Sequence, residues 1–394
     1  MGLASGNQSG LEGSGYFPAD QPPGSQKQMM IDKKPKKKEP VWVIGVPLIA
    51  WVLFAAKRFL FPDNSFFLFL LALGLISGVL AAVHHAEVVA ERVGEPFGAL
   101  VLAVAVTSIE VSLIISLMLS PGHDSSSLAR DTVFAAEMII ITGIVGASLF
   151  IGGIKFKEQV FGLDGVSAAL TVLTAISVLT LILPNYTLSA PGPFYNKEQL
   201  AFVAIVSLIL YGIFLLVQTI IHRRYFLQDK DQNQEDPAEV SPTNRQTLIS
   251  AVFLLISLAI VVILAEELAP AVEKGVDRLG APKSMVGIIV AMVVLLPEGI
   301  SALQAARNNQ LQSSLNLALG SALASIGLTI PAVAFVSLYY GFPLTLGIDL
   351  KSTVLFILSL LIMLLSLRTG RTTLLQGAVL LIIFAVYLFI TIIP

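Results

Sequence analysis

The chain is written in long apolar stretches separated by short polar ones. Eleven such stretches cover approximately 41–57, 66–84, 97–119, 131–153, 166–184, 200–221, 247–268, 283–304, 314–338, 350–367 and 372–393. Most are close to the ~20 residues that an α-helix needs to cross the ~30 Å of bilayer hydrocarbon. The pattern predicts an all-α polytopic membrane protein of about eleven transmembrane helices. Residues 1–40, rich in Gly, Ser, Pro and Gln, show no apolar periodicity and read as a disordered tail. The longest internal connection, 222–246, is locally acidic through Asp229, Asp231, Glu235, Asp236 and Glu239. It divides the membrane part into a first repeat, 66–221, and a second, 247–394, with 41–57 as an extra N-terminal helix. The connection reads as a solvated linker; the sharper alternative is a cation-attracting or regulatory segment.

Charge gives the orientation. Lys33, Lys34, Lys36, Lys37 and Lys38 precede the first stretch, and Arg92, Lys155, Lys157, Arg223, Arg224, Arg307, Arg368 and Arg371 fall in connections on the same side. Fewer basic residues fall on the other side, so the positive-inside rule places the N-terminus in the cytoplasm. The lysine run is a topology signal rather than a nucleic-acid contact. Composition agrees with the span pattern: 55 % of residues are hydrophobic and 13 % charged, against about 25 % charged in a soluble domain. The absence of cysteine excludes disulfides, thiolate metal sites and cysteine nucleophiles. No cleavable signal peptide is expected before the first span.

Two acidic residues break the apolar pattern where it costs most. Glu110 lies more than half-way along the third span and Glu298 lies within the eighth. A carboxylate at mid-membrane costs roughly 2.5–3.5 kcal/mol on insertion scales, so such a residue is a functional candidate. No Lys or Arg falls near mid-depth, which argues against structural ion pairs. The sequence around the two residues echoes. Ala86-Glu87, Val93-Gly94-Glu95-Pro96, Val104-Ala105 and Glu110 in the first half match Ala265-Glu266, Leu279-Gly280-Ala281-Pro282, Val290-Ala291 and Glu298 in the second. The third and eighth spans run in opposite directions, so the halves are inverted repeats, as in secondary transporters that bind substrate near the midplane. The ninth span carries Asn316, Gly320, Ser321 and Ser325, small or polar residues that suit close helix packing.

HHAEVVAERVGEPFGALVLAVAVTSIE and LLPEGISALQAARNNQLQSSLNLALGSALASIGLTIP resemble the two α-repeats of cation/proton exchangers of the Ca²⁺/cation antiporter superfamily. Within it the chain is most similar to the bacterial ChaA type, and the resemblance covers about 41–394. It implies a ten-helix inverted-repeat core with an additional N-terminal helix. It also implies exchange of Ca²⁺ or Na⁺/K⁺ for protons, and a bacterial inner (plasma) membrane location. One acidic ligand comes from each repeat, here Glu110 and Glu298. The chain departs from the GNATE-like motif of the Ca²⁺/H⁺ branch: Thr107 and Leu295 stand where that motif has Asn. The choice among Ca²⁺, Na⁺ and K⁺ stays open.

The chemistry asked of the site is oxygen coordination. Ca²⁺ takes six to eight oxygens at about 2.3–2.6 Å, of which two glutamates offer four. Thr107 shares the Glu110 face with Ala99 and Ala103 and can add a hydroxyl, as can Ser108. Pro297 has no N–H and so frees the carbonyl of Val293, one turn from Glu298; the bland alternative is a packing kink. Ser321 can complete the shell or merely pack. The same carboxylates can hold protons when no cation is present, so the two ligands compete for one site. Glu137, in the fourth span, aligns with Gly320 and gives the first half an acid that the second lacks. It reads either as a proton relay to Glu110 on the outward side or as an acid snorkelling to the surface. His84-His85-x-Glu87 lacks the HExxH spacing and suggests an interfacial, gating or pH-sensing role. The predicted activity is secondary cation/proton antiport. The alternatives are a Na⁺(K⁺)/H⁺ antiporter with little Ca²⁺ transport, a passive cation channel and an intramembrane hydrolase. A pump lacks its phosphate loop. No cofactor is implied. The partners are metal cations, protons and the bilayer, with a homo-oligomer left open.

Overall fold

The computed structural model describes residues 40–60, 65–94, 97–119, 126–226 and 242–393. The predicted tail, the acidic part of the linker and the Glu95-Pro96 dipeptide lie outside the described residues. Among the described residues ten helices are long and apolar enough to cross a membrane, and a pair bent by 57° makes eleven. They are α1, Val41–Phe59; α2, Ser65–Val93; α3, Phe97–Leu119; α4, Leu128–Met138, continuing into α5, Val145–Phe156; α6, Leu163–Ser177; and α7, Lys197–Leu216. The second half has α8, Asn244–Arg278; α9, Ser284–Val294, bent into α10, Leu296–Arg307; α11, Leu311–Ala324, continuing into α12, Ile330–Tyr340; α13, Leu350–Leu367; and α14, Leu374–Ile392. This is the predicted architecture: two inverted five-helix repeats after an additional first helix.

Two elements outrun the apolar pattern. α2 and α8 have 29 and 35 residues and continue past Glu87 and Glu266. Hydropathy stops at those acids, but Ala, Glu, Leu and Val keep a helix going into the aqueous layer. α7, α8 and α14 start on capping boxes, Asn196 with Gln199, Thr243 with Gln246 and Thr373 with Gln376.

The repeats pack across each other. α2 lies along α8, α5 along α14 and α12 along α7, the last two being equivalent pairs under the inversion. α4–α5 and α11–α12 are the innermost spans, with 72 % and 67 % of their most apolar windows buried against 22 % for α1. They contribute the largest share of the main apolar cluster, whereas one smaller cluster joins α2, α3, α8 and α9 and another joins α1, α2 and α8. At Gly287 on α9 an added Cβ would lie 2.9 Å from the backbone of Asp131 and Thr132, so glycine sets the approach of α9 to α4. In both inner spans the join is a π-helical turn, Ile139–Ile144 and Ser325–Thr329. π turns of this kind occur often at functional sites.

One feature was not expected. Two three-residue strands, β1, Glu158–Val160, and β2, Arg371–Thr373, pair antiparallel with Gln159 opposite Thr372. They join the connection after α5 to the one before α14. At the other end of the molecule Thr345 N–H donates to Ser126 O at 3.0 Å and Leu346 N–H to Pro193 O at 3.2 Å. The connections thus sort into two ends, as alternating spans require, with the linker at the ribbon end.

Candidate cation and proton site

The bend between α9 and α10 follows from Pro297. It stands in the first turn of α10 and cannot donate to the carbonyl of Val293, so the helix breaks at Leu295. Glu298 then sits in the first turn of a half-helix, as in transporters whose broken helices line the binding site. Glu298 is half-buried, and its Oε2 is sealed off from solvent without a hydrogen bond. The carboxylates that act on it electrostatically are Glu110 and Glu87.

Glu110 on α3 is 4 % exposed. The Ser325 hydroxyl, from the π turn of the other repeat, donates to its Oε1 at 2.7 Å. Thr329, at the far end of that turn, faces the same carboxylate without a standard hydrogen bond. Thr107, one turn before Glu110, is buried beside it in sequence. Ser108 turns away, donating back to Val104 O at 2.6 Å. Ser321 is partly exposed and makes no hydrogen bond to either glutamate; the hydroxyl on Glu110 belongs to Ser325, one turn further along the same helix face. The sequence signal was there, since Ser321, Ser325 and Thr329 recur every four residues. The repeats are not equivalent at this point. The alignment of Glu137 with Gly320 places Thr142 opposite Ser325, but Thr142 donates to Met138 O at 2.5 Å and not to Glu298.

Glu137, in the last turn of α4, is completely buried, and neither carboxylate oxygen has a hydrogen-bond partner. It does not snorkel. Arg130 is committed elsewhere, to Asp131 at 2.7 Å and to Gly347 O at 3.1 Å. Among the described residues no basic side chain pairs with Glu110, Glu137 or Glu298, and no three acidic or histidine side chains converge closely enough to hold one metal ion. The histidine pair is not a metal site. His85 is fully buried, with Nε2 3.2 Å from Val43 O and Nδ1 3.3 Å from Ser250 Oγ. It therefore ties α1, α2 and α8 together, while His84 lies 4.0 Å from Glu87. His85 is covered there by α1 and α8.

A family model described as "Sodium/calcium exchanger protein" matches residues 64–220 and 249–393, the two halves on either side of the linker. The chain belongs to this family. Among similar exchangers and transporters, the "Putative ionic transporter y4hA" of Sinorhizobium fredii is 45 % identical over 90 % of this chain and 97 % of its own length. The "Sodium-potassium/proton antiporter ChaA" of Escherichia coli is 38 % identical over 81 % of this chain and 87 % of its own. A solved structure of YfkE, called a Ca²⁺/H⁺ antiporter, superposes with a TM-score of 0.69. It covers 90 % of this chain and 99 % of that one at 16 % identity, which speaks for the fold. The exchanger is thus an integral membrane protein of a family whose named relatives move cations and protons.

Proposed function

We propose that this exchanger is a secondary cation/proton antiporter that exports Ca²⁺, Na⁺ or K⁺ against protons. In this reading Glu110 and Glu298 bind cation and proton in turn. The observation that carries it is the pair itself: two mid-span carboxylates from inverted repeats, Glu110 buried and Glu298 half-buried, with the Ser325 hydroxyl on Glu110 and, among the described residues, no basic partner. A buried carboxylate without a counter-charge is costly. A proton or a cation removes that cost, so the site is occupied by one or the other. Antiport follows if the protein changes the side to which it opens only when the site is neutralised.

The ligands of this proposal are the Glu110 and Glu298 carboxylates, the Ser325 and Thr329 hydroxyls, Thr107 and the Val293 carbonyl freed by Pro297. Ser108 and Ser321 enter only after a rearrangement that turns them inward. Two carboxylates balance one divalent ion, which favours Ca²⁺. The E. coli relative, by its name, favours Na⁺ and K⁺. The cytoplasmic N-terminus and inner-membrane location complete the proposal, so export runs toward the end opposite the linker. Everted vesicles carrying the protein, given each cation in turn under an imposed pH gradient, decide both points. Glu110→Gln and Glu298→Gln should each abolish proton-coupled flux at normal expression. Normal coupled flux in either variant overturns the assignment. Cation flux that ignores the pH gradient makes the protein a channel.

A further inference from the structure

At the end opposite the linker a cavity of about 200 Å³ opens between α4, α9, α13 and α14. α4, α9 and α13 each start there, and α14 is within two turns of its end at Tyr387. Span ends mark the level at which hydrocarbon gives way to head groups. Val354 and Phe389, next in sequence to the lining residues Leu355 and Ile390, are 59 % and 62 % exposed, so the cavity borders the lipid-facing side of α13 and α14. Its walls are largely apolar, with Phe134 edge-on against Tyr387 at 5.6 Å between centroids. Its polar part holds two bases and two acids, Arg130, Lys351, Asp131 and Asp349, and so has no net charge. Arg130 is committed to Asp131 at 2.7 Å and to Gly347 O at 3.1 Å. Asp349 is exposed and caps α13 with one oxygen, which accepts from Ser352 N–H at 3.3 Å; its other oxygen is free of that bond. It also acts electrostatically on Asp131. Lys351 is exposed and, among the described residues, makes no ion pair. Tyr387 is only 4 % exposed and lines the cavity, yet its hydroxyl has no hydrogen-bond partner among the described residues. Leaving a buried hydroxyl alone is costly, which a polar ligand in the cavity would relieve.

We propose that this cavity binds the head group of a zwitterionic phospholipid ending in a primary ammonium, as phosphatidylethanolamine does. The ammonium donates to the free oxygen of Asp349, with Asp131 adding its charge. The phosphate accepts from Lys351 and from the Tyr387 hydroxyl. It lies where the first turns of α9 and α13 meet, and the positive ends of those helices favour an anion. The acyl chains stay outside, against the exposed side of α13 and α14. The balance of charge selects this ligand. An anionic lipid brings the phosphate without the ammonium and leaves two carboxylates facing it. A choline head carries the positive charge but has no N–H to give to Asp349. A metal ion finds no third acid or histidine among the described residues. The site is independent of which cation the protein carries, since none of its residues belongs to the set around Glu110 and Glu298.

The test titrates the full chain in detergent with phosphatidylethanolamine, phosphatidylcholine or phosphatidylglycerol of equal acyl chains, and reads the retained lipid by native mass spectrometry. Phosphatidylethanolamine should bind about tenfold tighter than either of the others, the size of one hydrogen bond to a charged group. Asp349→Asn keeps the cap of α13, because Asn caps as well as Asp, and should bring phosphatidylethanolamine down to the level of phosphatidylcholine. Lys351→Gln should weaken both of these lipids alike. The chain has no cysteine, so Ser352→Cys can be modified alone. A bulky thiol adduct at that position fills the cavity and should abolish the preference. Unfolding temperatures without added lipid should match wild type in all three variants, which separates lost binding from lost fold. Equal retention of phosphatidylethanolamine and phosphatidylcholine by the wild type overturns the proposal. Tighter retention of phosphatidylglycerol makes the cavity an anion site and overturns the ammonium assignment. A preference that survives in both Asp349→Asn and the modified Ser352→Cys puts the lipid elsewhere on the protein and overturns the cavity.

Discussion

Ser325→Ala is the sharpest probe of the site, because it removes one oxygen and leaves both glutamates in place. The lost bond is an O–H···O contact of 2.7 Å to a carboxylate, from a residue 3 % exposed. Hydrogen bonds to charged groups contribute about 1.5–3 kcal/mol, and a buried acceptor left alone loses that support. Converted at 1.4 kcal/mol per decade, this weakens cation binding by about 10- to 150-fold. A water entering the space of the missing hydroxyl recovers part of the loss, so the lower end of the range is expected. The half-saturating cation concentration for proton-coupled flux should therefore rise about tenfold, while expression and thermal stability in detergent stay near wild type. Ser325→Thr keeps the hydroxyl and should stay close to the parent. Less than about a twofold change in Ser325→Ala would refute the role given to this bond, since twofold corresponds to only ~0.4 kcal/mol.

Two further outcomes test the frame around the site. Gly287→Ala places a Cβ 2.9 Å from the Asp131–Thr132 backbone, so it should destabilise the protein by roughly 1–3 kcal/mol, read as a lower unfolding temperature in detergent. Replacing 228–241 by a Gly/Ser segment of equal length, leaving Thr243 to cap α8, should leave transport and its cation dependence unchanged if that stretch is a linker. A large shift in cation dependence would show that its carboxylates feed or regulate the site.

The spans were legible because bilayer thickness converts directly into a length of apolar sequence. The bend was legible too, since Pro297 removes a donor wherever it stands. What escaped the sequence depends on register or on distant partners. The choice of Ser325 over Ser321 turns on how far along α11 the Glu110 carboxylate meets the helix, and apolar residues in an α turn and in a π turn look alike. The burial of Glu137 and of His85 depends on the helices that cover them: α9 and the second repeat's π turn for one, α1 and α8 for the other. The strands β1 and β2 are three residues long and lack any pattern of their own; each becomes a strand only by meeting the other.

That meeting has a consequence for biosynthesis. Arg371 and Glu158, 3.3 Å apart across the ribbon, are separated by 213 residues of chain. At ~5–20 residues per second on the ribosome, the earlier strand waits about 10–40 s for its mate. The same interval separates α5 from α14, which supplies the surface α5 packs against. The first half therefore enters the bilayer with an incomplete interior, and it is completed only when α14 has been made. A truncated chain ending at the linker should be retained by membrane quality control. Supplying 242–394 as a second polypeptide should rescue it.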